Sequence, residues 1–209
     1  MRVAELWRYP VKSLRGERLE RAELQIDGVR GDRLTRVLAA GGSELTSRTA
    51  RPLMTLSGSL SDGDEPLIDG EPWNSPQALE LVRAAAGEGT TLTPIGRNFD
   101  EAPILVVTDG AVAALGEDRR RFRPNIVVEG VEGLDERDWV GRRLRVGPAE
   151  LLVRQHCARC VITTIDPDTL EVRPEVLRRI NEEFEGLMGV YCEVALAGEV
   201  REGDPVEIT

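Results

Sequence analysis

Apolar positions between residue 1 and about residue 72 fall in short alternating runs separated by turn signals. Arg18 to Ile26 alternates through Leu19, Ala22, Leu24 and Ile26 before Asp27-Gly28 turns the chain; Leu34 to Ala40 follows, and Gly41-Gly42 turns it again. This pattern predicts a small antiparallel sheet. Ser75-Pro76 then reads as an N-cap with Pro at the first helical position, Leu79, Leu81, Val82 and Ala85 lie on one side, and Gly87 stops the run. Together they predict a helix of about ten residues.

A second block opens near Phe99. Ile104 to Val107 is wholly apolar, as a strand buried on both faces requires, and Asp109 is placed to cap a short helix through Leu115. Strand-like runs recur at Asn125 to Val128, Arg143 to Val146, Leu151 to Arg154, Val161 to Ile165, Val190 to Ala195 and Val206 to Ile208. One more helix, opened by Pro174, carries Val176, Leu177, Ile180 and Phe184 at helical spacing. Many short strands with a few isolated helices predict an α+β, mostly β fold with a β-barrel core, rather than alternating βαβ units.

Composition narrows the function classes. The 209 residues carry 27 Lys plus Arg against 37 Asp plus Glu, a formal charge of −10. That balance argues against a nucleic-acid partner, because phosphate neutralisation needs a basic surface. No run of about 18 apolar residues is present to span a membrane, and Glu5 and Arg8 interrupt the segment where a secretion signal would be apolar. A cytoplasmic location is expected. Three Cys, an odd number, favour free thiols over a disulfide scaffold. All basic residues are Arg except Lys12, in Tyr9-Pro10-Val11-Lys12-Ser13, where a compact ammonium replaces the planar guanidinium used everywhere else.

Three constellations could carry chemistry. Cys157-Ala158-Arg159-Cys160 has CxxC spacing. A dithiol redox pair wants its first Cys at a helix N-terminus, whereas both flanks here read as strands; a structural zinc site wants a second ligand pair, and only Cys192 and His156 remain. The third reading has one thiolate, beside Arg159, binding a soft metal or acting as a nucleophile at a strand end, and two merely buried thiols would explain the spacing equally. Hydrolytic use of a thiol lacks a base, because the single His neighbours Cys157 on a strand and would point away. Arg121-Phe122-Arg123-Pro124-Asn125, leading into an apolar strand, offers two guanidiniums around an aromatic ring, suited to a planar anion. The preceding Arg119-Arg120-Arg121 triplet reads most simply as a solvated turn. Lys12-Ser13 and Gly31-Asp32-Arg33 add further donors, although a surface salt bridge would account for Asp32 and Arg33. No GxxxxGK[ST] or GxGxxG cradle is present, so ATP and NAD are not indicated.

Taken in order, these motifs resemble the MOSC family. Tyr9 to Gly16, Gly31-Asp32-Arg33 and Leu45-Thr46-Ser47-Arg48 resemble its N-terminal β-barrel-like domain. Phe99 to Pro103, Arg121 to Asn125, Cys157 to Thr169 and Gly203 to Val206 resemble the MOSC domain itself. The resemblance implies a smaller N-terminal domain over 1–90, a MOSC domain over 91–209, and binding of the molybdenum cofactor. In amidoxime-reducing members the Cys matching Cys160 ligates the metal, which makes Cys160 the implied catalytic and metal residue. Lys12, Ser13, Arg33, Arg123 and Asn125 match cofactor contacts, and Asp100 matches an acidic position near the pterin. The implied activity is reduction of N-hydroxylated small molecules. A separate electron-donor protein is required, since the chain lacks the four spaced Cys of an iron–sulfur cluster. The alternative is a non-catalytic cofactor carrier or a persulfide-delivering module. Pyridoxal phosphate, found in some MOSC-linked proteins, is not expected, because the only Lys lies in the implied pterin motif. Relatives often have Gly where Leu170 follows Asp166-Pro167-Asp168-Thr169, which predicts an altered turn.

Overall fold

The computed structural model describes residues 1–94, 99 and 101–209. Its centre is a curled eight-stranded half-barrel, running from one edge through Val206–Ile208, Arg143–Val146, Ala149–Ala158, Leu187–Leu196, Ile104–Thr108, Ile126–Glu129, Arg2–Arg8 and Glu17–Leu19. Neighbours are antiparallel except Ile104–Thr108 and Ile126–Glu129, which run parallel and are joined through the Asp109–Leu115 helix and a 3-10 turn over Arg119–Phe122. A parallel pair needs such a crossover, and its strands are buried on both faces. Accordingly Ile104 and Val106 face the barrel interior with Leu6, Leu144, Leu151 and Val190, whereas Leu105 and Val107 face a second core with Phe122, Val176, Ile180 and Phe184. Each such Ile, Val or Leu side chain stabilises the fold by about 1.5–3 kcal/mol through apolar burial. The fold is α+β and mostly β, with few helices.

The first seventy residues do not form one small sheet. Arg2–Arg8 and Glu17–Leu19 complete the half-barrel, Arg21–Gln25 pairs with Gly28–Val29 and with the distant Gly198–Arg201, Thr35–Leu38 pairs with Glu44–Leu45 and Thr91–Pro94, and Gly58–Leu60, Pro66–Ile68 and Glu71–Pro72 form a meander. Alternation identifies a strand, but its partner is chosen by which apolar faces meet, and here several partners lie far away in sequence. A third core, including Val11, Leu14, Leu53, Ile68 and Val82, packs the Pro76–Ala86 helix over this region.

Local expectations hold for that helix, where Ser75 Oγ accepts the Ala78 amide at 3.1 Å. The Pro174–Glu183 helix buries Val176 and Ile180, as its spacing predicts. Two expectations fail. Thr108, not Asp109, caps the Asp109–Leu115 helix, accepting from the Ala111 amide at 3.2 Å; Asp109 instead accepts the amides of Gly130 and Val131, pinning the helix to the end of the neighbouring strand. Val161–Thr164 is a 3-10 turn rather than a strand, because Thr163 and Thr164 turn their hydroxyls back onto the carbonyls of Cys160 and Val161. β-branched residues favour strands, but local side-chain-to-backbone bonds override the preference. Among the described residues no helix is long and apolar enough to cross a membrane.

Candidate functional site

The site grows out of three segments laced together. Tyr9 to Lys12 runs beside Arg33 to Thr35: the Arg33 amide donates to the Tyr9 carbonyl, the Leu34 amide to that of Pro10, and the Lys12 amide to that of Thr35, each at 2.8 Å. Asn125 begins the Ile126–Glu129 strand and is wired to both neighbouring strands. Its Oδ1 accepts the Leu105 amide at 3.1 Å, and its carbonyl accepts the Trp7 amide at 2.8 Å. The third segment is the end of Ala149–Ala158 with the following 3-10 turn, which Cys160 opens in extended backbone.

These segments enclose a cavity of about 170 Å³. Lys12, Ser13, Arg33, Arg123, Asn125 and Cys160 all line it, so residues nearly 150 positions apart in the chain converge on one space. Asp100 lies outside the described residues. Three of the converging residues, Ser13, Arg33 and Arg123, have φ of 75°, 51° and 53°. This left-handed backbone costs a non-glycine residue about 1–2 kcal/mol and concentrates at sites where side-chain direction matters.

Tyr9 organises the cationic wall. The guanidinium of Arg123 lies 4.3 Å from its ring centroid and that of Arg33 5.3 Å. Its hydroxyl donates to the Pro124 carbonyl at 3.2 Å, and burial pushes the phenol up to about 12 despite both guanidiniums, so it stays a neutral platform. Gly16 makes room for the ring: a Cβ there would lie 2.5 Å from both Tyr9 and the Arg8 carbonyl.

Asp32 is not part of a surface salt bridge. Its side chain is fully buried, and its carboxylate accepts the Tyr9 amide at 2.6 Å and Asn125 Nδ2 at 3.1 Å while pairing with Arg33. One buried charge thereby ties Arg33 to Asn125. Lys12, only 14% exposed, pairs with Glu44 at 2.8 Å.

The two thiols of the CxxC differ sharply. Cys157 is buried, and Arg159 Nη1 lies 2.9 Å from its sulfur while Nη2 donates to the Phe122 carbonyl at 2.8 Å. Cys160 is half-buried on the cavity wall. Cys157 lies within the Ala149–Ala158 strand and Cys160 opens a 3-10 turn in extended backbone, so neither thiol stands at the N-terminus of an α-helix, where the dipole would stabilise a thiolate. A dithiol redox pair therefore does not fit. Cys192 lies in the barrel core, where burial pushes its thiol up. His156 turns its Nε2 to the Arg137 carbonyl at 2.9 Å.

Beyond the six site residues that the motifs pointed to, the lining includes Ser47, Arg48, Arg159 and Tyr191, of which only Tyr191 lies outside every motif read from the sequence. Ser47 is fully buried, and its Oγ has no hydrogen-bond partner among the described residues. Only the Leu45-Thr46-Ser47-Arg48 motif hinted at this wall, and nothing local distinguishes its buried hydroxyl from an exposed one. Arg121 was also misread. It is 2% exposed, sealed between Glu117 at 3.3 Å and Asp166 at 2.8 Å, while Arg119 and Arg120 lie at the surface.

Comparison with known proteins agrees with this architecture. The model of the MOSC domain matches residues 98–207, and that of the MOSC N-terminal beta barrel domain matches residues 1–68. Human mitochondrial amidoxime reducing component 2 is 26% identical over 277 aligned positions, covering 98% of this chain and 82% of its own. Molybdenum cofactor sulfurase of Anopheles gambiae is 44% identical over 81 residues, which are 38% of this chain and 10% of its own. The crystal structure of the YUAD protein from Bacillus subtilis shares the fold, with a TM-score of 0.54 at 15% identity over 99% of this chain and 93% of that one. With its strand order, its cavity and a family model spanning more than half of its length all in agreement, the chain belongs to the MOSC domain family.

Proposed function

We propose that the cavity holds a molybdenum cofactor, with Cys160 as the protein's sulfur ligand to the metal, and that the protein reduces N-hydroxylated small molecules using electrons from a separate donor protein. The observation that carries this reading is one cavity lined by both a half-buried thiol and the cationic side chains of Lys12, Arg33 and Arg123. The names of the mitochondrial relatives, which cover most of both chains, supply the reaction class.

The donor set fits such a group. Thiolate sulfur is a soft ligand suited to molybdenum, and guanidinium and ammonium groups suit phosphate. Ser47 offers a buried hydroxyl with an unmet bond that a bound polar group would satisfy. Among the described residues no cluster of three or more His, Cys, Asp or Glu is placed to hold a metal ion, and the proposed ligand from this chain is the Cys160 sulfur. When bound, the group supplies a two-electron redox centre able to take up an oxygen atom. The chain's own residues bind and orient. Lys12, Ser13 and Arg33 from the proposed 1–90 domain, with Arg123 from 91–209, hold the phosphate end, and Asp100 is proposed as an acidic contact to the pterin. Asn125, whose amide is engaged by Asp32 and by the Leu105 backbone, acts mainly by fixing Asp32 and so the direction of Arg33. Three free thiols suit a reducing compartment such as the cytoplasm.

The test is molybdenum analysis of purified protein combined with fluorescence of the oxidised pterin it releases. Cys160→Ala is expected to lose molybdenum and Cys157→Ala to retain it; equal retention by both overturns the ligand assignment. Arg123→Ala is expected to lower pterin occupancy, and unchanged occupancy removes that residue from the site. Loaded protein that turns over no N-hydroxylated substrate with any reductant would favour the carrier reading instead.

A further inference from the structure

Arg121 and Phe122 hold the chain on both sides of Cys160, through Arg159 and Thr163. On the N-terminal side, the Phe122 carbonyl accepts Arg159 Nη2 at 2.8 Å, and the Arg159 guanidinium lies 5.3 Å from the Phe122 ring centroid. On the C-terminal side, Arg121 Nη1 reaches the Thr163 carbonyl at 3.5 Å, and Thr163 bonds the Cys160 carbonyl through its amide at 3.1 Å and its hydroxyl at 2.9 Å. Arg121 also holds the far end of the same loop. Its Nη2 donates to Asp166 at 2.8 Å, and the other oxygen of Asp166 accepts the amides of Asp168 and Thr169 at 3.0 and 2.9 Å. Two further arginines reinforce this loop: Arg15 donates to the Pro167 carbonyl at 2.8 Å, and Arg120 pairs with Asp168.

Sealing a guanidinium in the interior at 2% exposure carries a desolvation penalty of several kcal/mol, which its two carboxylate partners offset. An apolar side chain of the same volume would fill the space without that penalty, so stability alone does not account for the residue. An apolar side chain would not provide a fork with one prong on the Thr163 carbonyl and another on Asp166.

We propose that Arg121 is a positioning residue for the Cys160 thiol, holding the turn that follows it so that the sulfur faces the cavity. This rests on the reading of Cys160 as the sulfur ligand, but its test does not. Trypsin cleaves after Arg159 and so places Cys157 and Cys160 in different peptides, which lets mass spectrometry follow the alkylation of each thiol by iodoacetamide in the native protein.

Arg121→Met, assayed well below its melting transition, is expected to alkylate at Cys160 about tenfold faster than the parent as the turn loosens, with the Cys157 rate unchanged. Arg121→Lys should fall between, because an ammonium cannot make both contacts in one plane. If Arg121→Met does not fold, Asp166→Asn, which removes one half-exposed partner, carries the same expectation. A lowered melting temperature with an unchanged Cys160 rate, or equal acceleration at both thiols, would overturn the proposal by making Arg121 merely structural. Absence of molybdenum from the parent protein alongside selective acceleration at Cys160 would sink the cofactor reading and leave the positioning role standing.

Discussion

Replacing Asp32 with Asn is the sharpest probe of how the cationic wall is built. The carboxylate is fully buried, accepts the Tyr9 amide and Asn125 Nδ2, and neutralises Arg33. An amide keeps the volume but presents an NH2 to a site where every neighbour is a donor, so at least one buried donor loses its acceptor, at about 1–3 kcal/mol. The charge pair is lost as well. Breaking a wholly buried pair costs about 3–5 kcal/mol, but Arg33 retains 16% exposure and water takes up part of its charge. The two effects overlap and together predict a loss of about 2–4 kcal/mol, or roughly 4–16 °C in Tm for a chain of this size. Urea unfolding followed by tryptophan fluorescence measures the loss, with Glu44→Gln as control. Glu44 is 25% exposed and pairs with Lys12 and Arg36, so its neutralisation should cost under about 1 kcal/mol. If Asp32→Asn lost less than about 1 kcal/mol, or no more than Glu44→Gln, the claim that one buried carboxylate ties Arg33 to Asn125 would be wrong.

Two more expectations concern the loop after Cys160. Hydrogen bonds from the Thr169 and Asp168 amides hold the Asp166 carboxyl below its ordinary range, and the Arg120 side chain does the same for Asp168. Both native pKa values lie below the unfolded value of 3.8, so the stability they contribute is complete above that pH and lost as pH falls through the lower native values. Urea titrations between pH 5 and about pH 2.5 should therefore show a shallower decline for Asp168→Asn than for the parent, and parallel curves would refute the coupling. Leu170 stands in left-handed backbone, with φ 60°, a conformation that Gly adopts without penalty, so the leucine carries the strain. Leu170→Gly relieves about 1–2 kcal/mol of it and returns about 0.5–1 kcal/mol as unfolded-chain entropy. Its Tm should match or exceed the parent's, and a marked drop would mean that leucine packing outweighs the backbone term.

Much of the scaffold is legible in the chain itself. Five successive buried positions in Ile104–Thr108, the Ser75-Pro76 helix start and the Val176/Ile180 stripe follow from side-chain period and cap chemistry, which act over a few residues. Residue type also marks Cys160, Lys12, Arg33 and Arg123 as soft or cationic groups before any fold is known. The tertiary structure alone decides the environment of each. Arg119, Arg120 and Arg121 are chemically identical neighbours, yet only Arg121 is enclosed by Glu117 and Asp166. Asp32 becomes a buried hub because Asn125, 93 positions away, is brought against it by strand pairing. Val161 to Ile165 reads as a strand until its threonines find the carbonyls behind them. Local period fixes which face of an element is apolar, whereas the burial of a charge depends on the groups that long-range pairing places around it.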